Sequence, residues 1–188
     1  MIKAITFDLD GVYFTSDSFS NFKKYLSIDS FNDNYMTQFK QGILSEDQFW
    51  NLTRQEFNIK LSNQEISRLL ADSYFVNQNV VDYVKKVRSQ GIKTCICTNN
   101  FPTRINSLNQ KFNFLSDFDI QVFSYQVGAV KPDLKIFQAL IEKSGVQPQE
   151  IFYADDKQIN VDAAKSIGIN AVVYTNFEKF VSSLTSII

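Results

Sequence analysis

Histidine is absent from the 188 residues. That absence excludes Ser-His-Asp and Cys-His nucleophilic machinery, HExxH zinc sites and any imidazole general base. Whatever chemistry exists falls to carboxylates, lysine, hydroxyls or thiols. Cysteine is scarce as well: Cys95 and Cys97 stand two apart in the apolar run from Ile92 to Thr98. Strand alternation points both to one face without disulfide geometry, and two thiols outside a CxxC pattern cannot close a zinc site. Reduced core thiols are expected. No apolar stretch approaches the roughly 20 residues of a membrane span. Met1-Ile-Lys-Ala4 runs directly into a strand-like segment instead of a signal-peptide core, so a cytoplasmic protein with no membrane partner is expected. Charge of one sign is not in excess either, since 19 Lys+Arg against 20 Asp+Glu leave a net charge of −1. Without a basic field, a nucleic-acid partner is not expected.

Glycine and proline are few, and the places they occupy organise the chain. Gly91, Gly145 and Gly168 each end a helical pattern and precede an apolar β-type run. Val80, Val81, Val84 and Val87 have helical spacing within 79–90, and Ile92–Cys97 follows as a buried strand. Pro132 is expected to start a helix through Ser144 with Ile136, Phe137, Leu140 and Ile141 as its apolar stripe, before a strand at 150–154. The same logic gives a helix at 158–167 and a strand at 169–174. Ile2–Phe7 reads as a first strand, 119–124 as a middle one and Phe177–Ile187 as a closing amphipathic helix. Alternation of this kind predicts an α/β fold, a doubly wound, Rossmann-like parallel sheet with helices on both faces.

Residues 16 to 76 break the alternation. Ser45-Glu-Asp-Gln48 and Ser62-Asn-Gln-Glu65 are capping boxes opening apolar helices, and β-type runs are nearly missing. The segment reads as a helical insertion after the first strand, with joints near Tyr13–Asp17 and Ser73–Asn79, which leaves 1–15 and 77–188 as the core domain. Phe39, Phe49, Trp50 and Phe57 have the spacing of the insertion's own core.

Parallel sheets bind ligands beyond the carboxyl ends of their strands, and each strand end here is polar. Asp8 and Asp10 follow the first strand, with Gly11 supplying turn freedom. Their spacing places both carboxylates near one another, where a cation between them keeps both ionised. Thr98-Asn99-Asn100 ends the second core strand. Lys131 precedes a helix, and Asp155-Asp156 ends the strand after it. An acidic cluster suited to Mg²⁺ beside donors suited to an anion describes a site for a phosphoryl group held by a hard metal ion.

These residues resemble the motifs of the haloacid dehalogenase superfamily: Phe-Asp8-Leu-Asp10-Gly-Val the first, Thr98-Asn99 the second, Lys131-Pro132 the third, and Asp155-Asp156 with Asn160 the fourth. The resemblance covers nearly the whole chain. The place of the insertion and the pattern Ser124-x-x-x-Gly128-x-x-Lys131-Pro132-Asp133 are similar to the subgroup with a small helical (C1-type) cap, which makes 16–76 a cap subdomain. The resemblance implies Asp8 as nucleophile forming an aspartyl-phosphate and Asp10 as general acid and then base. It implies Mg²⁺ on Asp8, the Asp10 main-chain carbonyl and Asp156, with Asp155 as a ligand or behind one. Lys131 would neutralise Asp8 and the phosphate, Thr98 and the Asn99 backbone N–H would hold phosphoryl oxygens, and Asn160 would share a helix face with Asp156 and orient that end of the site.

Within the superfamily, dehalogenases need neither magnesium nor an Asp two residues after the nucleophile, so Asp10 and the acidic fourth motif favour a phosphomonoester hydrolase. A phosphomutase shares every core residue and stays open as an alternative, as does a silent binding or regulatory protein on the same fold. The chain is also similar to small-cap sugar-phosphate phosphatases. The partner implied is a small phosphorylated substrate, the state a monomer or weak homodimer. Because the insertion carries no basic cluster, a second phosphate on the substrate is not expected. Val12 to Ser16, leading from catalytic turn to cap, are expected to touch substrate or flex as the cap opens.

Overall fold

The computed structural model describes residues 1–15, 24, 26 and 31–187. In chain order the elements are β1 (Ala4–Phe7), β2 (Phe14–Thr15), α1 (Asp33–Lys40), α2 (Glu46–Phe57), α3 (Asn63–Asp72), β3 (Phe75–Val76), α4 (Gln78–Ser89), β4 (Lys93–Thr98) and α5 (Pro102–Phe112). They continue as β5 (Ile120–Phe123), α6 (Ser124–Val127), α7 (Leu134–Ser144), β6 (Ile151–Asp155), α8 (Gln158–Ser166), β7 (Asn170–Val173) and α9 (Phe177–Thr185). The main sheet is parallel, in the order β5-β4-β1-β6-β7. The chain therefore winds outward from β1 in one direction, returns and winds outward in the other. That is the doubly wound arrangement, and β1 with its two neighbours lies at the point of reversal, where such sheets place ligands.

Strand alternation builds a core on each face. Ile5 and Phe7 of β1 and Ile96 of β4 join Val80, Val84, Leu108 and Phe180 in one apolar cluster. Ala4, Cys95, Cys97 and Val122 join Ile136, Phe137, Leu140 and Val161 in the other. Both cysteines are free and buried, and burial pushes both thiols up to about 12, which makes them inert core residues. Among the described residues, no helix is long and apolar enough to cross a membrane.

Helices α1 to α3 enter between β2 and β3, which pair antiparallel. Both capping boxes form as their sequences dictate, with Ser45 and Ser62 as N-caps. Phe39, Phe49, Trp50, Ile66 and Leu70 make a third cluster, and Phe57 packs against it. Phe39 stacks on Phe49 at 4.3 Å between centroids and on Phe101 of the core at 4.9 Å. Each such buried ring contributes about 1.5–3 kcal/mol of apolar burial, so the aromatic excess serves packing.

Two expectations fail in this region. Val12, Tyr13 and Phe14 are buried in the first core cluster instead of facing substrate, and ring contacts of Tyr13 and Phe14 with Phe114, and of Tyr13 with Phe118, hold the two aromatic side chains there. Ser16 and Asp17, with the boundary drawn at residue 16, lie outside the described residues. Pro132 does not start a helix either. It follows a cis peptide bond, and α7 begins at Leu134 because the Asp133 side chain accepts the Lys135 N–H at 2.9 Å and caps it.

Candidate active site

β4 and β6 flank β1 in register, so Thr98, Asp155 and the residue after Phe7 emerge side by side at one sheet edge. Asp8 is buried, and its Oδ1 accepts the Leu9 N–H at 2.7 Å. Its Oδ2 lies 3.0 Å from the Lys131 Nζ. The lysine is enclosed: Nζ donates to Asp155 Oδ2 at 2.6 Å, to the Cys97 carbonyl at 3.0 Å and to the Tyr153 hydroxyl at 3.0 Å. Asn99 fixes the backbone beneath it, accepting the Lys131 N–H at 2.7 Å and donating to the Lys131 carbonyl at 2.9 Å. The Asn99 side chain thus positions the Lys131 backbone.

The two carboxylates that share Lys131 respond in opposite directions. Burial pushes Asp8 up to about 6 against the pull of the lysine, with Asp155 and Asp10 adding repulsion. Asp155 is also penalised by burial, yet Lys131, Tyr153 and the Lys157 N–H hold it below the usual carboxylate range. The difference follows from donors. Asp155 accepts from Lys131, Tyr153, Lys157 and Asn160, whereas Asp8 has Lys131 and Leu9. Lys131 itself is held firmly charged, since the two carboxylates outweigh its desolvation.

Asp8, Asp155 and Asp156 each bring one oxygen into a group spanning no more than 4.8 Å. Among them Asp156 is exposed and makes no protein hydrogen bond among the described residues. Burial and the neighbouring Asp155 raise its carboxyl above the ordinary range. Gly11, at φ +73°, passes so close that an added Cβ would stand 2.9 Å from Asp156 Oδ2. Glycine is required there both for its backbone and for the space.

Asp10 is not part of that group. Its carboxylate forms an ion pair with Arg104 of α5, which leaves its main-chain carbonyl as the part of Asp10 open to a metal ion. Arg104 is buried beneath the Tyr74 ring, 4.4 Å from its centroid, and its Nε has no hydrogen-bond partner among the described residues. Asn160 reaches this end of the site through Asp155: its Nδ2 donates to both Asp155 oxygens, at 3.0 and 3.1 Å. Thr98 Oγ1 is fully buried at the end of β4 without a hydrogen-bond partner among the described residues, an uncommon state for a hydroxyl.

Arg104 and Tyr153 are the residues that motif reading missed, and each had a signal. A cation in the first turn of a helix opposes the macrodipole, so Arg104 two residues past Pro102 called for an anionic partner. Tyr153 is two before Asp155 on one strand and therefore on the same face.

Comparison with known proteins agrees with this geometry. The model of the family described as haloacid dehalogenase-like hydrolase matches residues 2–168. A phosphorylated carbohydrates phosphatase of Thermotoga maritima is 25% identical, over 91% of this chain and 84% of its own. The crystal structure of an enzyme of the same family from Bacteroides thetaiotaomicron, in complex with magnesium and inorganic phosphate, superposes with a TM-score of 0.80 at 24% identity, covering 92% of this chain and 94% of its own. A phosphatase structure from Thermococcus onnurineus gives a TM-score of 0.66 at 26% identity, over 93% of this chain and 86% of its own.

Proposed function

The chain belongs to the haloacid dehalogenase-like hydrolase family, and on that premise we propose that it is a magnesium-dependent phosphomonoester hydrolase acting on a small phosphorylated metabolite. The observation that carries this reading is the Asp8–Lys131 pair set beside two groups without a hydrogen-bond partner among the described residues, the Asp156 carboxylate and the buried Thr98 hydroxyl. One wants a cation and the other an acceptor oxygen, and a phosphoryl group with its counterion supplies both. The named activity of the Thermotoga relative and the ligands of the Bacteroides enzyme support it.

The donor set fits magnesium, because it is all oxygen and Asp156 is uncommitted. Asp8, Asp156 and the Asp10 main-chain carbonyl would hold the ion, with Asp155 behind them since its oxygens are already filled. When bound, the ion would draw charge from the phosphoryl oxygens. An Asp8 oxygen attacks phosphorus while Asp10 protonates the departing alcohol, leaving an aspartyl-phosphate. Asp10 then takes a proton from water, whose oxygen attacks phosphorus and returns Asp8 as carboxylate. Thr98 and the Asn99 backbone N–H hold phosphoryl oxygens, and Lys131 neutralises both Asp8 and the phosphoryl charge. Residues 1–15 and 77–188 form the catalytic core, and 16–76 a cap that covers it. Reduced thiols suit a cytoplasmic setting.

The direct test is phosphate release from p-nitrophenyl phosphate with Mg²⁺ and with EDTA. Release that stops on chelation is expected; no release from folded, Mg²⁺-loaded protein would overturn the phosphatase reading. Gly11→Ala tests the metal site separately. Its methyl group would displace Asp156, so Mg²⁺ affinity by calorimetric titration is expected to fall about tenfold or more. Unchanged affinity would remove Asp156 from the ligand set.

A further inference from the structure

The ammonium of Lys131 has more acceptors around it than protons to give. An ammonium carries three N–H donors. Among the described residues four oxygens lie within 3.0 Å of Nζ: Asp155 Oδ2 at 2.6 Å, and the Cys97 carbonyl, the Tyr153 hydroxyl and Asp8 Oδ2 at 3.0 Å each. The first three accept the protons, and Asp8 is met as a charge across an ion pair. Tyr153 is the neutral side chain in this set, and it is held firmly in place. It is fully buried on β6, and its ring meets Phe137 edge-on with 5.5 Å between centroids. Its own proton goes to Asp155 Oδ2, so the lone pairs of the hydroxyl are left for Nζ. Hydrogen bonds chained in this way polarise one another and make the hydroxyl a stronger acceptor.

The consequence falls on Asp8. Its Oδ1 already accepts the Leu9 N–H at 2.7 Å, so an ammonium proton turned onto Oδ2 would leave neither oxygen without a donor. A charge-assisted hydrogen bond stabilises a carboxylate and makes it a poorer nucleophile. From this arrangement, and resting on the phosphatase reading, we infer that Tyr153 is a positioning residue: its hydroxyl keeps an ammonium proton of Lys131 off Asp8 Oδ2, so that the lysine neutralises the nucleophile without hydrogen-bonding it. The step served is the first. An Asp8 lone pair forms the O–P bond while the bond from phosphorus to the leaving oxygen breaks, and that oxygen departs with the Asp10 proton. In the second step a water oxygen attacks phosphorus and Asp8 is the leaving group, which a proton donor at Oδ2 would assist. Loss of the Tyr153 hydroxyl therefore slows formation of the aspartyl-phosphate and does not slow its decay.

The test is rapid-quench measurement of aspartyl-phosphate formation and decay with p-nitrophenyl phosphate and Mg²⁺, in wild type, Tyr153→Phe and Asn160→Ala. Tyr153→Phe deletes one oxygen and keeps the ring. Formation is expected to slow about tenfold, the rate equivalent of one hydrogen bond, with decay no slower than in wild type. Asn160 also donates to Asp155 but makes no hydrogen bond to Lys131, so Asn160→Ala is expected to raise the Mg²⁺ concentration for half-maximal formation. In Tyr153→Phe that concentration should stay within about twofold of wild type. A Tyr153→Phe protein that shares the Mg²⁺ defect of Asn160→Ala, or forms aspartyl-phosphate at the wild-type rate, would overturn the inference. Wild type that forms no aspartyl-phosphate would instead overturn the phosphatase reading. Ammonium NMR of isotope-labelled wild type in EDTA reads the arrangement without turnover, and decides the matter should the variant not fold. Lys131 Nζ is expected to couple through hydrogen bonds to the Cys97 carbonyl and Asp155 carboxylate carbons; coupling to the Asp8 carboxylate would overturn the inference.

Discussion

Asp8→Asn abolishes turnover and, in the same protein, stabilises the metal-free fold at about pH 8. The first effect follows from removing the oxygen proposed to attack phosphorus: an amide does not form the acyl phosphate, and a loss of about 10⁴-fold or more is expected in kcat for p-nitrophenyl phosphate. The second follows from burial. Asp8 titrates at about 6 in the folded protein against 3.8 in the unfolded chain, so its neutral form is the one the fold prefers. A folded pKa raised in this way gives stability that is complete below the unfolded value and is lost as pH rises through the folded value. Two pK units correspond to about 3 kcal/mol, the amount by which ionised Asp8 destabilises metal-free protein above roughly pH 6. Asparagine resembles the neutral form. Urea unfolding in EDTA should therefore show the variant more stable by about 3 kcal/mol at pH 8, with the gap shrinking toward pH 4. Added Mg²⁺ should stabilise wild type more than the variant, since the metal would answer the ionised carboxylate. A variant that is less stable than wild type at pH 8 in EDTA would show that Lys131 already compensates Asp8 in full. Retention of more than about a hundredth of wild-type kcat would remove Asp8 as the nucleophile.

Sequence discloses this site unevenly, and the reason lies in the range of each interaction. Asp8, Thr98 and Asp155 are legible because strand periodicity and glycine stops locate strand ends, and a parallel sheet brings those ends together. The capping boxes are legible for a still more local reason, as each is complete within four residues. What sequence does not disclose is how side chains choose among partners once assembled. Asp10 and Asp8 lie two apart, yet Asp10 pairs with Arg104, a residue 94 positions away. Asn160 is four residues from Asp156 and five from Asp155, and it bonds to the latter because Asp155 points inward.

Lys131→Met is expected to cost more than any other single change in the core. The lysine side chain is wholly enclosed and neutralises two buried carboxylates, at 2.6 Å and 3.0 Å. Removing one partner of a buried ion pair strands the other charge, at roughly 3–5 kcal/mol, and here two charges are stranded. Activity should fall about a thousandfold or more, because the positive charge that would meet the phosphoryl group is also lost. Without the lysine, Asp8 and Asp155 both titrate higher in the fold, so the destabilisation should grow with pH and ease in mild acid. Should the variant fail to fold at neutral pH, the double variant Asp8→Asn/Lys131→Met provides the readout, since it strands one carboxylate instead of two. It should be more stable than Lys131→Met alone, a coupling of at least about 1 kcal/mol in a double-mutant cycle. Additive effects would mean that Lys131 is held by Asp155, Tyr153 and the Cys97 carbonyl alone, and that its proximity to Asp8 carries no energy in the resting protein.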